Sequence, residues 1–159
     1  MKIRNAELGD LAEVRRVYET ARAYMIHSGN PYQWANGYPT DALLRADIEA
    51  RSLYVVETDA IHAVFFFAVG EDPTYQHIYD GAWRCEGEYG VIHRVGSDGI
   101  LHGVMATIAD FCAETIQNLR IDTHEVNHTM KHVLEKCGFA PCGTIFLPDG
   151  SPRIAFQRC

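Results

Sequence analysis

The sequence predicts one mixed α/β domain, built as a central sheet with helices on both faces. Three observations carry this. The chain has 159 residues, the length of one ordinary domain. Apolar residues make up 47% and charged residues 22%, which supplies a core and argues against disordered or fibrous classes. Strand-like runs and helix-periodic segments alternate in the order β-α-α-β-β-β-α-β-α-β-β, with no internal repeat and no low-complexity stretch.

Taken in order, KIRNAE (2–7) reads as a short edge strand with Ile3 as its core contact. Over 8–27, Leu8, Leu11, Val14, Val17, Tyr18, Ala21 and Met25 recur near helical spacing, and Asp10 and Glu13 sit early, where carboxylates suit the helix dipole. SGNPYQWANGYP (28–39) is a loop rich in turn formers, carrying Tyr32, Gln33, Trp34 and Tyr38 as side chains able to lie against a ligand. Thr40 or Asp41 caps a second helix, DALLRADIEAR. LYVVET (53–58) and IHAVFFFAVG (61–70), separated by Asp59-Ala60, form a hairpin. No firm element is expected over 71–87. EYGVIHRV (88–95) is the next strand, broken by GSDG (96–99), and residues 101–118 are helical. LRIDTH is a strand, and VNHTMKHVLEKC a helix stopped by Gly138. FAPCGTIFL and RIAFQR close the chain as two strands around the turn PDGS.

The net charge of −7 and the lack of a basic stripe argue against non-specific nucleic-acid binding, which needs clustered Lys and Arg. The longest apolar run, AVFFFAV (63–69), is too short to span a bilayer, and MKIRNAELGDL has no apolar signal segment, so neither a membrane nor secretion is expected. The five cysteines, 85, 112, 137, 142 and 159, are odd in number and contain no C-x-x-C pair. The expectation is a cytoplasmic protein with free thiols, with Cys137 and Cys142 as packed apolar groups rather than nucleophiles.

The chemistry concentrates in EYGVIHRVGSDGILHGVM and the strand and helix after it. A strand feeding a helix through a loop presents unpaired backbone N–H groups, and the helix dipole adds to their attraction for phosphate. Gly103 lacks a Cβ, so an anion can approach the backbone closely there.

This arrangement resembles the GNAT family, the GCN5-related N-acetyltransferases, over essentially the whole chain. The family's loop signature, R/Q-x-x-G-x-G/A after the fourth strand, matches Ile100-Leu101-His102-Gly103-Val104-Met105, with seven residues between Val95 and Gly103. LRIDT, Asn127, Met130 and the Gly138-Phe139 pair resemble the second half of the signature. The QW…GYP loop and the DTH…N…M segment resemble a bacterial subgroup with no clear substrate assignment. Two positions depart from the loop signature, Ile100 for Arg or Gln and Met105 for a small residue. The family's frequent tyrosine near the end of the fourth helix falls at Leu134, so the common proton donor to the leaving thiolate is absent from its usual place.

The resemblance implies a single GNAT-like domain over 1–159, with a mostly antiparallel sheet of six to seven strands. The fourth and fifth strands splay to admit the pantetheine arm of acetyl-CoA. It implies direct acetyl transfer from acetyl-CoA to an amine of a small molecule or peptide in a ternary complex, with no metal. Arg94, Val95, Ile100 to Met105 and Asn127 are the expected cofactor contacts. Family habit also allows a homodimer through the sheet edge.

An amine at neutral pH is mostly ammonium and must lose a proton before it attacks, so a base or a water relay is needed. Strand parity puts Tyr89, Val91 and His93 on one face and Glu88, Gly90, Ile92 and Arg94 on the other, if no bulge intervenes. His93 is the favoured base or relay, with Tyr89 and Glu88 nearest the position that is commonly Glu in the family. His124, following Asp122-Thr123 at a strand end, is the second candidate; Asp122 could orient an imidazole or pair with an arginine. Asn127 serves either pantetheine or the helix N-cap. Trp34 and Tyr38 are expected at the acceptor site, and the acidic balance favours a cationic acceptor.

His124, His128 and His132 recur every four residues, but the spacing H-E-x-x-x-H is one residue longer than the zinc motif H-E-x-x-H. A zinc-dependent hydrolase is therefore the weaker alternative. A non-catalytic acyl-CoA or metabolite sensor on the same fold is the nearer one, distinguished by binding without turnover.

Overall fold

The computed structural model describes residues 1–159. The predicted element order holds: β1 (Lys2–Asn5), α1 (Leu11–His27), α2 (Asp41–Glu49), β2 (Leu53–Glu57), β3 (Ile61–Val69), β4 (Gly90–Ser97), α3 (Val104–Ala113), β5 (Leu119–Thr123), α4 (His128–Lys136), β6 (Ala140–Phe146) and β7 (Pro152–Arg158). The strands form one seven-stranded sheet in the order β1-β2-β3-β4-β5-β7-β6. Every neighbouring pair is antiparallel except β4 and β5, which are parallel. Those two pair only at Gly90 with Leu119 and Val91 with Arg120. Beyond these residues the strands part, as the resemblance implied.

Strand alternation divides the core between the two faces. Val56, Ala63, Phe65, Phe67 and Ile92 pack against Ile108 and Cys112 of α3 and Leu134 of α4. Leu53, Val55, Ile61 and Val64 pack against Val14, Val17 and Tyr18 of α1 and Leu44 and Ile48 of α2. Two of the helices, α2 and α4, begin at polar caps: Thr40 accepts from the Leu43 N–H at 3.2 Å, and Asn127 from the Met130 N–H at 3.1 Å.

Most element ends shift by one to three residues, and the β4 and α3 boundaries differ in ways that matter. β4 does not break at Gly96 but continues to Ser97. Gly96 lies under the Tyr18 ring, and a Cβ there would meet it at 2.9 Å, so this glycine permits close packing rather than a turn. α3 starts at Val104, because Leu101 to Gly103 form the loop that leads into it, and it ends at Ala113. The segment 71–89 has little regular structure beyond a 3-10 turn at Pro73–Tyr75, yet it is anchored. Tyr75 and Tyr89 are buried with Val91, Ile145 and Ala155. The Arg120 guanidinium lies between Trp83 and Tyr89, 4.0 and 3.9 Å from the ring centroids.

The expectation of five free thiols is corrected. Cys85 and Cys159 form a disulfide with Cα atoms 6.5 Å apart, tying the irregular segment to the end of β7. A separation of 74 residues makes this pairing invisible in local spacing. The argument for the cytoplasm from free thiols falls with it. Cys112, Cys137 and Cys142 are free. No helix is long and apolar enough to cross a membrane.

Because the bond closes a long loop of the unfolded chain, its loss should lower stability by about 2–4 kcal/mol. The check is the urea midpoint of the wild type with and without reductant, and of Cys85→Ser. Coincident midpoints would show that the crosslink does not constrain the unfolded chain.

Candidate active site

The site is organised by a bulge in β4. Val64 pairs with Gly96 and Phe66 with His93, so β4 carries one residue more than β3 over this stretch. Arg94 takes up the excess in the left-handed region, at φ 49°. The parity of Tyr89, Val91 and His93 survives, since the bulge follows His93. Arg94 does not fall on the opposite face as expected: it turns toward the same cavity as His93, while Val95 faces a second, larger one. Four contacts hold the bulge. The Tyr18 hydroxyl donates to the Arg94 carbonyl at 2.8 Å. The Arg94 guanidinium pairs with Asp47, donates to the Tyr38 hydroxyl at 3.2 Å, and lies 4.8 Å from the Phe66 ring centroid.

The larger cavity, about 840 Å³, lies between the loop after β4, the starts of α3 and α4, and α1. Gly103 is the N-cap of α3 at φ 71°, with open space where a Cβ would sit. The N–H groups of Leu101 through Ala106 donate to no acceptor within the protein, so successive donors stand free at a helix N-terminus. The loop is held from behind by Asp98, which accepts from the Ile100 N–H at 3.1 Å and contacts His62 Nδ1 at 2.9 Å and Arg16 Nη1 at 3.3 Å.

Of the expected cofactor residues, Val95, Leu101, His102, Gly103, Val104, Met105 and Asn127 line this cavity. Ile100 is exposed and outside its wall, and Arg94 belongs to the other cavity. The polar atoms of Asn127 are engaged within the fold, Oδ1 in capping α4 and Nδ2 in donating to Gln33 Oε1 at 3.0 Å. Leu134 is fully buried. Tyr24 of α1, which sequence reasoning did not single out, is the one tyrosine on this wall. Its hydroxyl is 3.0 Å from Thr129 Oγ1, and hydrogen bonds with Thr129 and Ser28 lower its pKa.

The smaller cavity, about 490 Å³, lies beside the same bulge. Asp72 Oδ2 lies 2.8 Å from His93 Nε2, and Asp122 Oδ2 lies 3.7 Å from His93 Nδ1. Asp72 also accepts from the Thr74 N–H and hydroxyl at 2.9 and 2.7 Å, and Asp122 from the Tyr75 hydroxyl at 2.6 Å. Burial pushes the Asp72 carboxyl up, but the bonds from His93 and Thr74 outweigh it and hold the group at about 2. Burial, reinforced by the Asp122 charge, holds the Tyr75 phenol well above its ordinary value. Both ring nitrogens of this half-buried imidazole face a carboxylate, which fixes the orientation of the ring in the cavity.

Trp34 and Tyr38 both line this cavity, Trp34 while also packed edge-on against Tyr18 at 5.3 Å between centroids. Tyr89 is buried outside the wall and touches the site only by accepting from the Asp72 N–H at 2.9 Å. Glu88 is exposed outside both walls. His124 is also outside both; its Nδ1 accepts from the Val126 N–H at 3.2 Å, its ring stacks on Tyr32, and burial lowers its pKa. His128 and His132 are exposed, and no three His, Cys, Asp or Glu side chains are placed to hold a metal ion. Gln33 Oε1 gathers donors from Asn30, Thr123, His124 and Asn127, joining the loop 28–39 to the end of β5 and the cap of α4.

The Asp72–His93 pair should be visible in acid. The folded value of about 2 lies below the ordinary 3.8, so the pair contributes its stability above about pH 4 and loses it as pH falls through 2. The urea-unfolding free energy of the wild type minus that of Asp72→Asn should shrink by about 2 kcal/mol over that window. A constant difference would remove the pair.

Neither a protein-family profile nor a curated protein sequence matches the chain. Solved structures do. A GNAT-family acetyltransferase from Streptococcus agalactiae 2603 superposes with a TM-score of 0.89 at 30% identity, over 99% of this chain and 94% of that one. A GNAT-family acetyltransferase from Listeria monocytogenes 4b F2365 gives 0.70 at 15% identity, over 99% and 93%. The NatB acetyltransferase complex bound to CoA and MES gives 0.64 at 7% identity, over 99% and 98%, a likeness of fold alone.

Proposed function

This chain belongs to the GNAT family of acetyltransferases, and from that premise we propose that it transfers the acetyl group of acetyl-CoA to the primary amine of a small molecule or peptide. The observation that carries the reading is the pairing of two cavities at one bulge. One is lined by free N–H donors at a helix N-terminus, the other holds an imidazole between two carboxylates.

The residues of the larger cavity fit the donor. Its pyrophosphate finds the unengaged N–H groups of Leu101 through Ala106 and the open approach at Gly103; backbone donors tolerate Ile100 and Met105 in the signature. The edges of β4 and β5 beyond Val91 and Arg120 are unpaired toward each other and can accept the pantetheine amides. Acetyl-CoA supplies the activated thioester.

His93 takes the proton of the acceptor ammonium. Asp72 fixes the ring through Nε2 and Asp122 faces Nδ1, so the imidazolium that forms is stabilised on both sides. The freed amine attacks the thioester carbon, the C–N bond forms and the C–S bond breaks. A backbone N–H at the strand gap can serve the carbonyl oxygen as charge develops. The thiolate takes a proton from Tyr24, whose lowered pKa suits an acid and which compensates for the missing hydroxyl at position 134, and the second N–H proton, shed as the amide becomes neutral, returns through solvent to the Tyr24 phenolate. An acetyl-CoA donor favours the cytoplasm, whereas the Cys85–Cys159 disulfide is of a kind rare there.

His93→Ala should lower kcat by about 10²- to 10⁴-fold, read by thiol release, while calorimetry gives an acetyl-CoA Kd within about twofold of wild type. Full activity in that variant would remove His93 as the base. Binding of acetyl-CoA by the wild type without turnover of any amine would make the protein a sensor.

A further inference from the structure

Arg153 of β7 lines the smaller cavity and is 6% exposed, yet its guanidinium makes one hydrogen bond, from Nη1 to the Pro152 carbonyl at 2.8 Å. No carboxylate pairs with it; Asp122 and Asp149 act on it only at longer range, and burial is the main influence on its pKa, lowering it. The other buried cations of this region each have a partner for their charge, although the Nε of both Arg94 and Arg120 is buried without an acceptor. Arg94 has Asp47 and the Tyr38 hydroxyl, and Arg120 has the rings of Trp83 and Tyr89. The acids are provided for as well: Asp72 by His93 and Thr74, Asp122 by Tyr75, and the exposed Asp149 by the Ser151 N–H. The Nε and Nη2 donors of Arg153 have no partner in the protein and are not sealed within it, so they open to the cavity, where an anion can fork onto them.

Its position relative to His93 defines that anion. Asp122 pairs with Ala155 across β5 and β7, and Arg153 lies two residues along β7 on the same face. Asp122 and Arg153 are diagonal neighbours, a relation that leaves Cβ atoms somewhat under roughly 7–8 Å apart. His93 Nδ1 is 3.7 Å from Asp122. One small molecule can therefore meet the proton-accepting group and the free cation together, and a cavity of about 490 Å³ limits its size.

We propose that Arg153 binds a carboxylate of the acceptor, and that the acceptor is a small amino acid whose amine and carboxylate are one or two carbons apart. The inference rests on the acyl-transfer reading. The ammonium lies at His93 and loses its proton there, the new amide is neutral, and the product leaves with the carboxylate as its remaining backbone charge. An amine lacking the carboxylate leaves Arg153 unsatisfied. The overall charge of −7 favours a cationic acceptor at long range, but the local unpaired group is positive.

The test is thiol-release kinetics with acetyl-CoA and the common L-amino acids and β-alanine, each beside its amide and its decarboxylated amine. Calorimetric titration of the same compounds onto the CoA-bound protein runs in parallel. The free acids should exceed their amides by at least about tenfold in kcat/KM. Arg153→Gln should abolish that preference by raising KM for the acids, with little change in kcat or in the acetyl-CoA Kd, and Arg153→Lys should restore part of it. The wild-type comparison of acid with amide stands even if a variant fails to fold. Equal turnover of acids, amides and plain amines would overturn the carboxylate site and keep acyl transfer. Arg153-dependent binding of amino acids with no turnover of any acceptor would overturn acyl transfer and keep the carboxylate site. Neither binding nor turnover would overturn both.

Discussion

The feature on which the rest depends is the one-residue excess in β4 at Arg94. A strand that continued in register would keep alternating its side chains. The bulge instead sends His93 and Arg94 to one cavity and Val95 to the other. It lies beyond the last β4–β5 pair, where β4 is free to bend away from β5. A non-glycine residue in the left-handed region is unfavourable by itself and persists only when its surroundings over-determine it. Here α1 fixes the carbonyl through Tyr18, α2 fixes the guanidinium through Asp47, and the loop 28–39 adds Tyr38. The helices on that face thus hold the strand in the shape that opens the site as well as covering the core.

The second constraint is the irregular segment between β3 and β4. It contributes Asp72 to the imidazole, and Tyr75 to Asp122, and its position rests on Arg120 between two rings and on the bond from Cys85 to Cys159. Stability and chemistry meet here, because the groups that order the segment also set the orientation of His93. Gln33 has a similar role on the other side, where one amide oxygen joins the aromatic loop to β5 and α4.

Much of the fold was legible because it rests on local signals. Alternation in LYVVE and IHAVFFFAV, helical periodicity in 11–27, the caps at Thr40 and Asn127 and the stop at Gly138 are each written within a few residues. The glycine loop was legible for the same reason, since a strand, Gly103 and a helix are adjacent in the chain. His93 could be placed on its face because the bulge follows it. What was not legible depends on residues far apart. The bulge misassigned Arg94, and Gly96 read as a strand break because the Tyr18 ring above it comes from 78 positions earlier. Asp72 sits in a segment without periodicity. Cys85 finds its partner at the other end of the chain. Arg153 left one trace, a charged residue in a strand that is otherwise mostly apolar, but its lack of a partner is visible only in three dimensions. His124 looked promising at a strand end and was drawn instead into a local bond with the Val126 N–H.

In the proposed function, the larger cavity receives an acyl-CoA through backbone donors at the start of α3. Calorimetric titration with acetyl-CoA, beside CoA, dephospho-CoA and pantetheine, tests it most directly. The three nucleotide-bearing ligands should bind saturably and one to one, with pantetheine at least about tenfold weaker because it lacks the pyrophosphate. No heat of binding up to millimolar acetyl-CoA, or pantetheine binding as tightly as CoA, would contradict it.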